Sequence, residues 1–332
     1  MFMRKIHFCN LIENDTLKKC QKQEKGLNLM KMNSAFLKYL VALLLFGSNG
    51  FVASHILLAS NEIVFFRTLI GSAFLLLLFV ITKGRPQIPA NRKHFLYLLL
   101  SGAAMGACWL VLFEAYVRVG VGISTLIYYC GPVIVMALSP FIFHEKLSAV
   151  KIIGMVIVLA GMLLINGSAA SESGLTKGLF YAILSAVFYA VLVISSKKAR
   201  SITGLENAMY QLGASFLTVF LFTLAKQGVH FGSIAENLLP ILMIGIVNTG
   251  VGCYLYFSSI QKLSVGTVSI CGYLEPLSAV IFSVILLGES LSLMQILGGI
   301  LIIGGAVFAE SASRRSGQHQ VLGNGLRQKN DA

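Results

Sequence analysis

Charged residues are scarce in this chain: Asp, Glu, Lys and Arg together make up 12% of its 332 residues. Soluble domains usually carry about 25% charged residues, and half that amount cannot cover the surface of a soluble protein of this size. Apolar residues take their place, since 56% of the chain is hydrophobic and its mean hydropathy is +0.81. This composition argues against a soluble enzyme, a disordered protein and a nucleic-acid-binding protein.

The chain also lacks the motifs that most catalytic chemistry needs. Its six Cys show no CxxC or other metal-ligand spacing, and its six His are scattered. The sequence holds no nucleotide-binding loop and no pairing of a nucleophile with a base. We therefore expect no metal and no cofactor, and we expect neither an ATP-driven pump nor an enzyme.

Apolar runs long enough to cross a membrane, about 20 residues each, follow one another from Phe36 to about Glu310. They predict an all-α integral membrane protein of about ten transmembrane helices. A polar tail flanks them at each end, residues 1–35 and 311–332, and the first has no apolar core that would make it a secretory signal. Met30 and Met32 offer a second translation start, and residues 1–30 are expected to be dispensable for folding and transport. The spans are predicted near 36–58, 62–82, 95–117, 121–143, 148–167, 178–197, 205–226, 237–259, 264–287 and 291–309.

Positive charge provides a separate check on this number of spans. Cytoplasmic loops of membrane proteins carry an excess of Lys and Arg. If both tails are cytoplasmic, 21 of the 26 Lys and Arg lie in cytoplasmic segments and three in external loops. One missed or extra span would mix the two groups. The distribution therefore predicts an even number of spans in the cell membrane with both termini in the cytoplasm.

The second half of the sequence repeats the first at a constant offset of 144 residues. Residues 113–165 and 257–309 share 12 identities in 53 positions without a gap. The informative pairs are Gly122 and Gly266, Tyr129 and Tyr273, Pro132 and Pro276, Glu145 and Glu289, Gly154 and Gly298, and Gly161 and Gly305. Each repeat holds five spans, so the second enters the membrane with the opposite orientation. Inverted repeats of this kind are typical of secondary transporters.

Two five-helix repeats, each with a Pro in the fourth helix and a Glu about 13 residues later, resemble the drug/metabolite transporter superfamily. The Gly-rich fifth helix of each repeat and the segment Phe65-Phe-Arg67 resemble its ten-helix EamA-type branch. The resemblance covers residues 36–167 and 178–310 as two repeats. It implies a transporter but says nothing of the substrate, since members move amino acids, nucleobases, other metabolites and quaternary amines.

Arg67 lies about five residues inside the second span, where a charge is costly unless it faces protein or water. We predict a role in a cavity or an ion pair, with extension of the side chain to the outer surface as the alternative. Its repeat mate is Gln211, which keeps polarity without charge. Glu114, near the outer end of the third span, is the nearest candidate partner by depth, with an exposed position at the membrane interface as the alternative.

Glu275 is the most deeply placed acid, near the middle of the ninth span and directly before Pro276. We predict that it faces a central cavity and changes its protonation state during transport, which would couple transport to protons. The alternative is that it stays protonated and bonds the backbone freed by Pro276. Aromatic rings beside a carboxylate suit a cation or an amino group, although each Tyr could equally serve packing. The aromatic and amide side chains at similar depth are Trp109, Tyr128, Tyr129, Tyr254, Tyr273, Asn248 and Gln211.

Other singled-out residues are interpreted as structural. Pro132 and Pro276 are expected to bend their spans, either as fixed kinks or as hinges, and most glycines, including Gly122 and Gly266, are expected to serve packing or hinges. Glu145 and Glu289 each precede a helix and are expected to interact with the N-terminus of that next helix.

Together these patterns predict a secondary transporter, expected to be an exporter, that moves small polar metabolites such as amino acids by alternating access. Its partners would be the small-molecule substrate and the lipid bilayer, with no nucleic acid. The alternatives are a transporter of cationic or aromatic amines or drugs and, from another class, a polytopic membrane enzyme. Substrate identity, direction of transport, coupling ion and oligomeric state are left open by the sequence.

Overall fold

The structure is a computed structural model that describes residues 34–82, 92–145, 147–166, 175–226, 237–288 and 292–309. Within these ranges the secondary structure is helical and contains no strand. The predicted tails, Glu289 and most of the predicted loop at 83–94 lie outside them. The all-α fold expected from the sequence is confirmed.

Eleven helices make up the described part of the chain. They are α1 (Ser34–Ala53, interrupted by a turn at Ser48), α2 (Ser60–Ile81), α3 (Arg92–Tyr128), α4 (Gly131–Phe143), α5 (Ala149–Asn166), α6 (Leu175–Lys198), α7 (Gly204–Lys226), α8 (Leu238–Ile260), α9 (Val265–Cys271), α10 (Leu274–Leu287) and α11 (Leu293–Ala309). Seven stretches are long and apolar enough to cross a membrane: α1, α2, α3, α6, α7, α8, and α9 with α10. The helices α4, α5 and α11 are shorter apolar helices. Within the described residues these elements give ten apolar spans, because the fourth span begins inside α3.

The third and fourth spans form one helical stretch of 37 residues, where the sequence predicts two helices with a break near residue 118. A hydrogen bond of 3.4 Å from the Thr125 hydroxyl to the Tyr116 hydroxyl shows that this stretch is not straight. In a straight helix these residues would stand about 13 Å apart along the axis. The chain must therefore change direction between them, which brings Tyr128 back to the depth of Cys108.

The fourth and ninth spans are each interrupted in the middle. Helix α3 ends at Tyr128 and α4 begins at Gly131, and in the second repeat α9 ends at Cys271 and α10 begins at Leu274. Pro132 and Pro276 therefore lie in the first turn of a new helix, where no backbone N–H is needed. Each of these spans is two helices joined by a short turn directly before the proline. Whether the bend is fixed or acts as a hinge stays a prediction.

Glycines let the helices approach closely at two crossings. On α3, a Cβ at Gly106 would stand 2.7 Å from the Ser215 carbonyl oxygen of α7, and one at Gly102 would overlap the carbonyl of Gln211. The second crossing joins α5 to α11, where a Cβ at Gly161 would stand 2.6 Å from the Gly298 carbonyl oxygen. Larger residues at these positions would push the backbones apart.

The crossing of α5 with α11 also displays the repeat symmetry. Gly161 lies against Gly298, while Gly154 and Gly305 approach each other in the same way, each Cβ 3.0 Å from the other's carbonyl oxygen. At the offset of 144 residues, Gly161 corresponds to Gly305 and Gly298 to Gly154. The repeat symmetry therefore turns one of these two contacts into the other. Helices that exchange equivalent positions in this manner are related by a pseudo-two-fold axis, as inverted repeats require.

Candidate functional site

A cavity of about 60 Å³ lies between the two repeats near the middle of the bundle. The first repeat contributes α1, α2 and α3, and the second contributes α6, α8 and α10. Its lining residues are Phe46, Asn49, Arg67, Met105, Cys108, Trp109, Tyr128, Tyr189, Leu192, Cys253, Tyr256, Phe257 and Glu275. Substrate sites of secondary transporters lie at such repeat interfaces, so this cavity is the candidate site.

Arg67 reaches this cavity from α2 and is only 5% exposed. Its Nε donates a 3.0 Å hydrogen bond to the Thr249 hydroxyl of α8. Its guanidinium carbon lies 4.5 Å from the centre of the Trp109 ring, a cation–π contact. These two contacts hold the positive charge inside the protein and fix its direction. Extension to the outer surface, the alternative drawn from the sequence, is wrong.

Glu275 lies at the start of α10 and lines the same cavity as Arg67. The side chain of Tyr129 lies close enough to the Glu275 carboxyl group to interact with it. Tyr129 itself is 7% exposed, and it packs between the rings of Tyr128 and Tyr273 at centroid distances of 5.0 and 5.8 Å. Tyr129 is therefore held in place by two neighbouring rings, beside the Glu275 carboxyl group.

Arg67 and Glu275 thus bring opposite charges to one cavity. The ion pairs among the described residues join Glu114 to Arg118 and Lys226, and neither involves Arg67 or Glu275. Two buried charges that act on each other across a cavity without direct contact can each bind a group of opposite sign. Among the described residues, no three His, Cys, Asp or Glu side chains are grouped so that they could share a metal ion.

Three tyrosines form an aromatic wall of the cavity. The Tyr128 ring meets the Tyr189 ring edge to face at a centroid distance of 5.4 Å. The side chains of Tyr189 and Tyr256 lie close enough to interact, and both line the cavity. Ring faces beside a carboxylate are favourable surroundings for a cationic group.

Glu114 lies elsewhere, at the end of the bundle opposite the start of α1. Its carboxylate pairs with Arg118 at 2.7 Å, one helical turn away, and with Lys226 at 3.6 Å. The predicted pairing with Arg67 is therefore wrong. The side chains four residues apart on α3 satisfy each other locally, and Arg67 turns inward to Trp109.

Gln211 does not line the cavity but belongs to a buried polar network between α3, α6 and α7. Its amide nitrogen donates to the Ser196 hydroxyl at 3.1 Å and to the Asn207 side-chain oxygen, and its oxygen accepts from Ser101. The repeat mate of Arg67 is thus occupied by neighbouring polar groups, and polarity at the matching position does not make a second charge site.

Asn248, Tyr254 and Tyr273 also lie outside the cavity lining. Asn248 donates to the Leu45 carbonyl and to the Ser48 hydroxyl, so it supports α1. The ring of Tyr254 lies 5.9 Å from the Lys38 ammonium. Tyr273 is fully buried against Tyr129. The sequence selected these residues because their depth in the spans is similar to that of Glu275. Their side chains do not line the cavity, because the rotation of each helix turns them away from it.

Glu145 caps a helix, although not the one expected. Its carboxylate oxygens accept from the Val265 backbone N–H at 3.0 and 3.2 Å, so it caps α9 in the other repeat instead of the following helix α5. Gly266, next in the chain, lies against Lys151, whose Cδ would be 2.8 Å from an added Cβ. Glu289 is outside the described residues, and Gly122 lies within α3.

Three cavity residues with an amide or hydroxyl group were not singled out from the sequence: Asn49, Tyr189 and Tyr256. Asn49 had a usable signal, because it is an amide inside an otherwise apolar first span. The two tyrosines had none, since the sequence around them resembles that of tyrosines used for packing.

A bundle of ten apolar spans in two inverted repeats, with a charged cavity between them, defines a multi-pass membrane transporter for a small-molecule substrate. Comparison with known proteins agrees. The model of the EamA-like transporter family matches residues 33–167 and 176–310. The chain therefore belongs to the EamA-like transporter family, which confirms the resemblance drawn from the sequence.

Curated relatives match most of the chain. An uncharacterized transporter of Bacillus subtilis, YxxF, is 27% identical over 91% of this chain and 97% of its own length. A WAT1-related chloroplastic protein of Arabidopsis thaliana is 24% identical over 71% of this chain and 59% of its own length. A solved crystal structure matches with a TM-score of 0.73 at 19% identity, covering 85% of this chain and 99% of that one. At that identity the match supports the fold alone.

Proposed function

We propose that the protein moves small zwitterionic metabolites, amino acids foremost, across the cell membrane by alternating access, with export as the direction. The observation that carries the proposal is that Arg67 and Glu275 line one cavity without a direct ion pair. An amino acid supplies one carboxylate and one ammonium, so each buried charge gains a partner. This offsets the cost of keeping charges away from water.

The chemistry of each charged side chain suits one half of such a substrate. A guanidinium is planar and presents several N–H donors, which fit the two oxygens of a carboxylate. The carboxylate of Glu275, beside the rings of Tyr128, Tyr189 and Tyr256, suits an ammonium. The cavity volume of about 60 Å³ favours small substrates over large drugs.

The second candidate is a transporter of cationic or aromatic amines. The tyrosine wall and Glu275 favour it, because both attract a cation. Such a substrate carries no group for Arg67, whose charge would then face the cavity beside another cation. We therefore rank zwitterions first.

Alternating access is supported by the symmetry of the two repeats. Both contribute to the cavity, so a change in how they pack would open it to one side or the other. The excess of Lys and Arg in the predicted inner segments supports cytoplasmic termini, which places the start of α1 on the inside.

The test measures ligand-induced stabilisation of the purified protein and then transport. Melting temperatures in detergent are compared with amino acids, with matched amines that lack the carboxylate, and with matched carboxylates that lack the amine. Compounds that stabilise the protein are then loaded into proteoliposomes, and their movement in each direction is measured. We expect amino acids to stabilise the protein most.

Two variants and two controls assign the charges. Arg67→Gln should abolish the extra stabilisation that a ligand gains from its carboxylate. Glu275→Gln should abolish the extra stabilisation that a ligand gains from its ammonium. Arg118→Gln and Glu114→Gln remove the same charges at the bundle end and should leave the ranking unchanged. Stabilisation by amines alone would favour the second candidate, and transport by Arg67→Gln and Glu275→Gln at the wild-type rate would overturn the zwitterion proposal.

A further inference from the structure

The amide of Asn49 presents an unmatched acceptor at the cavity. Asn49 is one of the lining residues, and its side-chain oxygen Oδ1 is buried and has no hydrogen-bond partner among the residues that the structure describes. Buried polar atoms in native proteins nearly always have a partner, and an exception calls for a specific explanation. Because Asn49 lines the cavity, a donor on a bound substrate can supply the missing partner of this oxygen.

Asn49 is held in place by a break in α1. The helix is interrupted by a turn at Ser48, directly before Asn49. At this turn the Asn248 amide of α8 donates to the Leu45 carbonyl at 2.7 Å and to the Ser48 hydroxyl at 2.8 Å. These bonds satisfy groups that the break would otherwise leave without a partner. The position of Asn49 is therefore fixed by the second repeat and does not result from local flexibility.

The broken part of α1 lies against the start of α10, where Glu275 is. A Cβ at Gly47 would stand 2.9 Å from the Glu275 carbonyl oxygen, so the two backbones are in contact. The segment Asn49–Ala53 continues along α10. Arg67, by contrast, is held by Trp109 of α3 and Thr249 of α8. Asn49 and Glu275 thus lie on neighbouring elements that line the same cavity.

We propose that Asn49 is a specificity-determining residue: its Oδ1 accepts an N–H of the substrate ammonium, beside the Glu275 carboxylate. This rests on the proposed function, in which the substrate is a zwitterion. Glu275 recognises the positive charge, whereas Asn49 recognises a proton on nitrogen. The protein then prefers a primary ammonium to a quaternary one of equal charge.

A series of four zwitterions tests this difference. Glycine, N-methylglycine, N,N-dimethylglycine and N,N,N-trimethylglycine keep both charges while the N–H donors fall from three to none. Their affinities are measured through the melting temperature of the purified full-length protein at several concentrations. For the wild type we expect glycine to bind about tenfold or more tightly than the trimethyl compound, the contribution of one charge-assisted hydrogen bond.

Two variants separate hydrogen bonding from the size of the ammonium group. Asn49→Leu has a similar volume without an acceptor and should lose glycine affinity about tenfold while binding trimethylglycine as the wild type does. Asn49→Asp keeps an acceptor at the same place and should keep the preference for glycine. Ser54→Ala, at the exposed residue that directly follows this segment, is the control and should match the wild type.

The outcomes distinguish this inference from the proposed function. If Asn49→Leu discriminates between glycine and trimethylglycine as the wild type does, discrimination is steric and Asn49 has no role in it, while the zwitterion site stands. If Asn49→Asp loses the preference together with Asn49→Leu, Asn49 acts as a donor and the inference is wrong. If no member of the series stabilises the wild type, the proposed function fails and this inference fails with it.

Discussion

The Tyr273 hydroxyl donates a 2.5 Å hydrogen bond to the backbone carbonyl of Tyr129, its own repeat mate 144 residues earlier in the chain. Both residues lie at the turns that interrupt the fourth and ninth spans. A direct bond between equivalent positions means that the pseudo-two-fold axis passes between the two turns. Because Tyr129 also lies beside Glu275, this contact connects the symmetry of the fold to the cavity.

Removing that bond should weaken the fold without touching the cavity lining. Tyr273→Phe deletes only the hydroxyl and leaves the Tyr129 carbonyl without its donor. We expect a loss of about 1–3 kcal/mol, the cost of a buried polar group that loses its partner. The melting temperature in detergent should fall accordingly. Tyr254→Phe, whose ring faces Lys38, is the control; equal melting temperatures for both variants and the wild type would contradict the prediction.

Glu275 should be the group that makes transport depend on pH. If it takes up and releases a proton in each cycle, export should be faster when the outside is more acidic than the inside. Glu275→Gln imitates the protonated form permanently and should transport at a rate independent of the proton gradient. Proteoliposomes with imposed pH gradients measure this directly.

Glu114→Gln is the matched control for that experiment, because it removes a carboxylate that pairs with Arg118 away from the cavity. It should retain the pH dependence of the wild type. A Glu275→Gln protein with normal rates and normal pH dependence would rule out coupling through this residue. The carboxyl would then support the backbone alone.

The close crossing of α5 with α11 should not tolerate even one added methyl group. In Gly161→Ala the new Cβ would stand 2.6 Å from the Gly298 carbonyl oxygen, so the helices must separate. We expect a destabilisation of about 1–3 kcal/mol, typical of overpacking, visible as a lower melting temperature. Gly213→Ala has nothing within 4 Å of the added Cβ and should be neutral. A neutral Gly161→Ala would show that the crossing is loose.

The orientation in the membrane is predicted from charge alone and can be measured by labelling. In a variant without its native cysteines, Gln87→Cys lies in the loop predicted to be cytoplasmic and Ser171→Cys in one predicted to be external. An impermeant thiol reagent should label Ser171→Cys in intact cells and Gln87→Cys only after permeabilisation. The opposite pattern would reverse the predicted topology.

Some of the site was within reach of the sequence. A single charge in an apolar span is costly, so Arg67 and Glu275 stand out as residues with a special environment, and both line the cavity. Gln211 and Asn248 also stand out as polar residues in apolar spans, but their amides bond neighbouring groups and do not line the cavity. Neutral amides have two donors and an acceptor that neighbouring helices can satisfy, so their depth alone does not distinguish a binding group from a structural one.

The sequence by itself determined the all-α membrane fold, the ten apolar spans, the repeat offset and the family. These properties follow from local hydropathy and from residue identity in register. Only the tertiary structure decided that Arg67 meets Trp109 instead of Glu114, that Glu145 caps α9, and that Asn49 reaches the cavity. Such side-chain contacts depend on the rotation of each helix about its axis and on the residue at which a helix is interrupted. Both are set by packing between segments far apart in the chain, which no local pattern encodes.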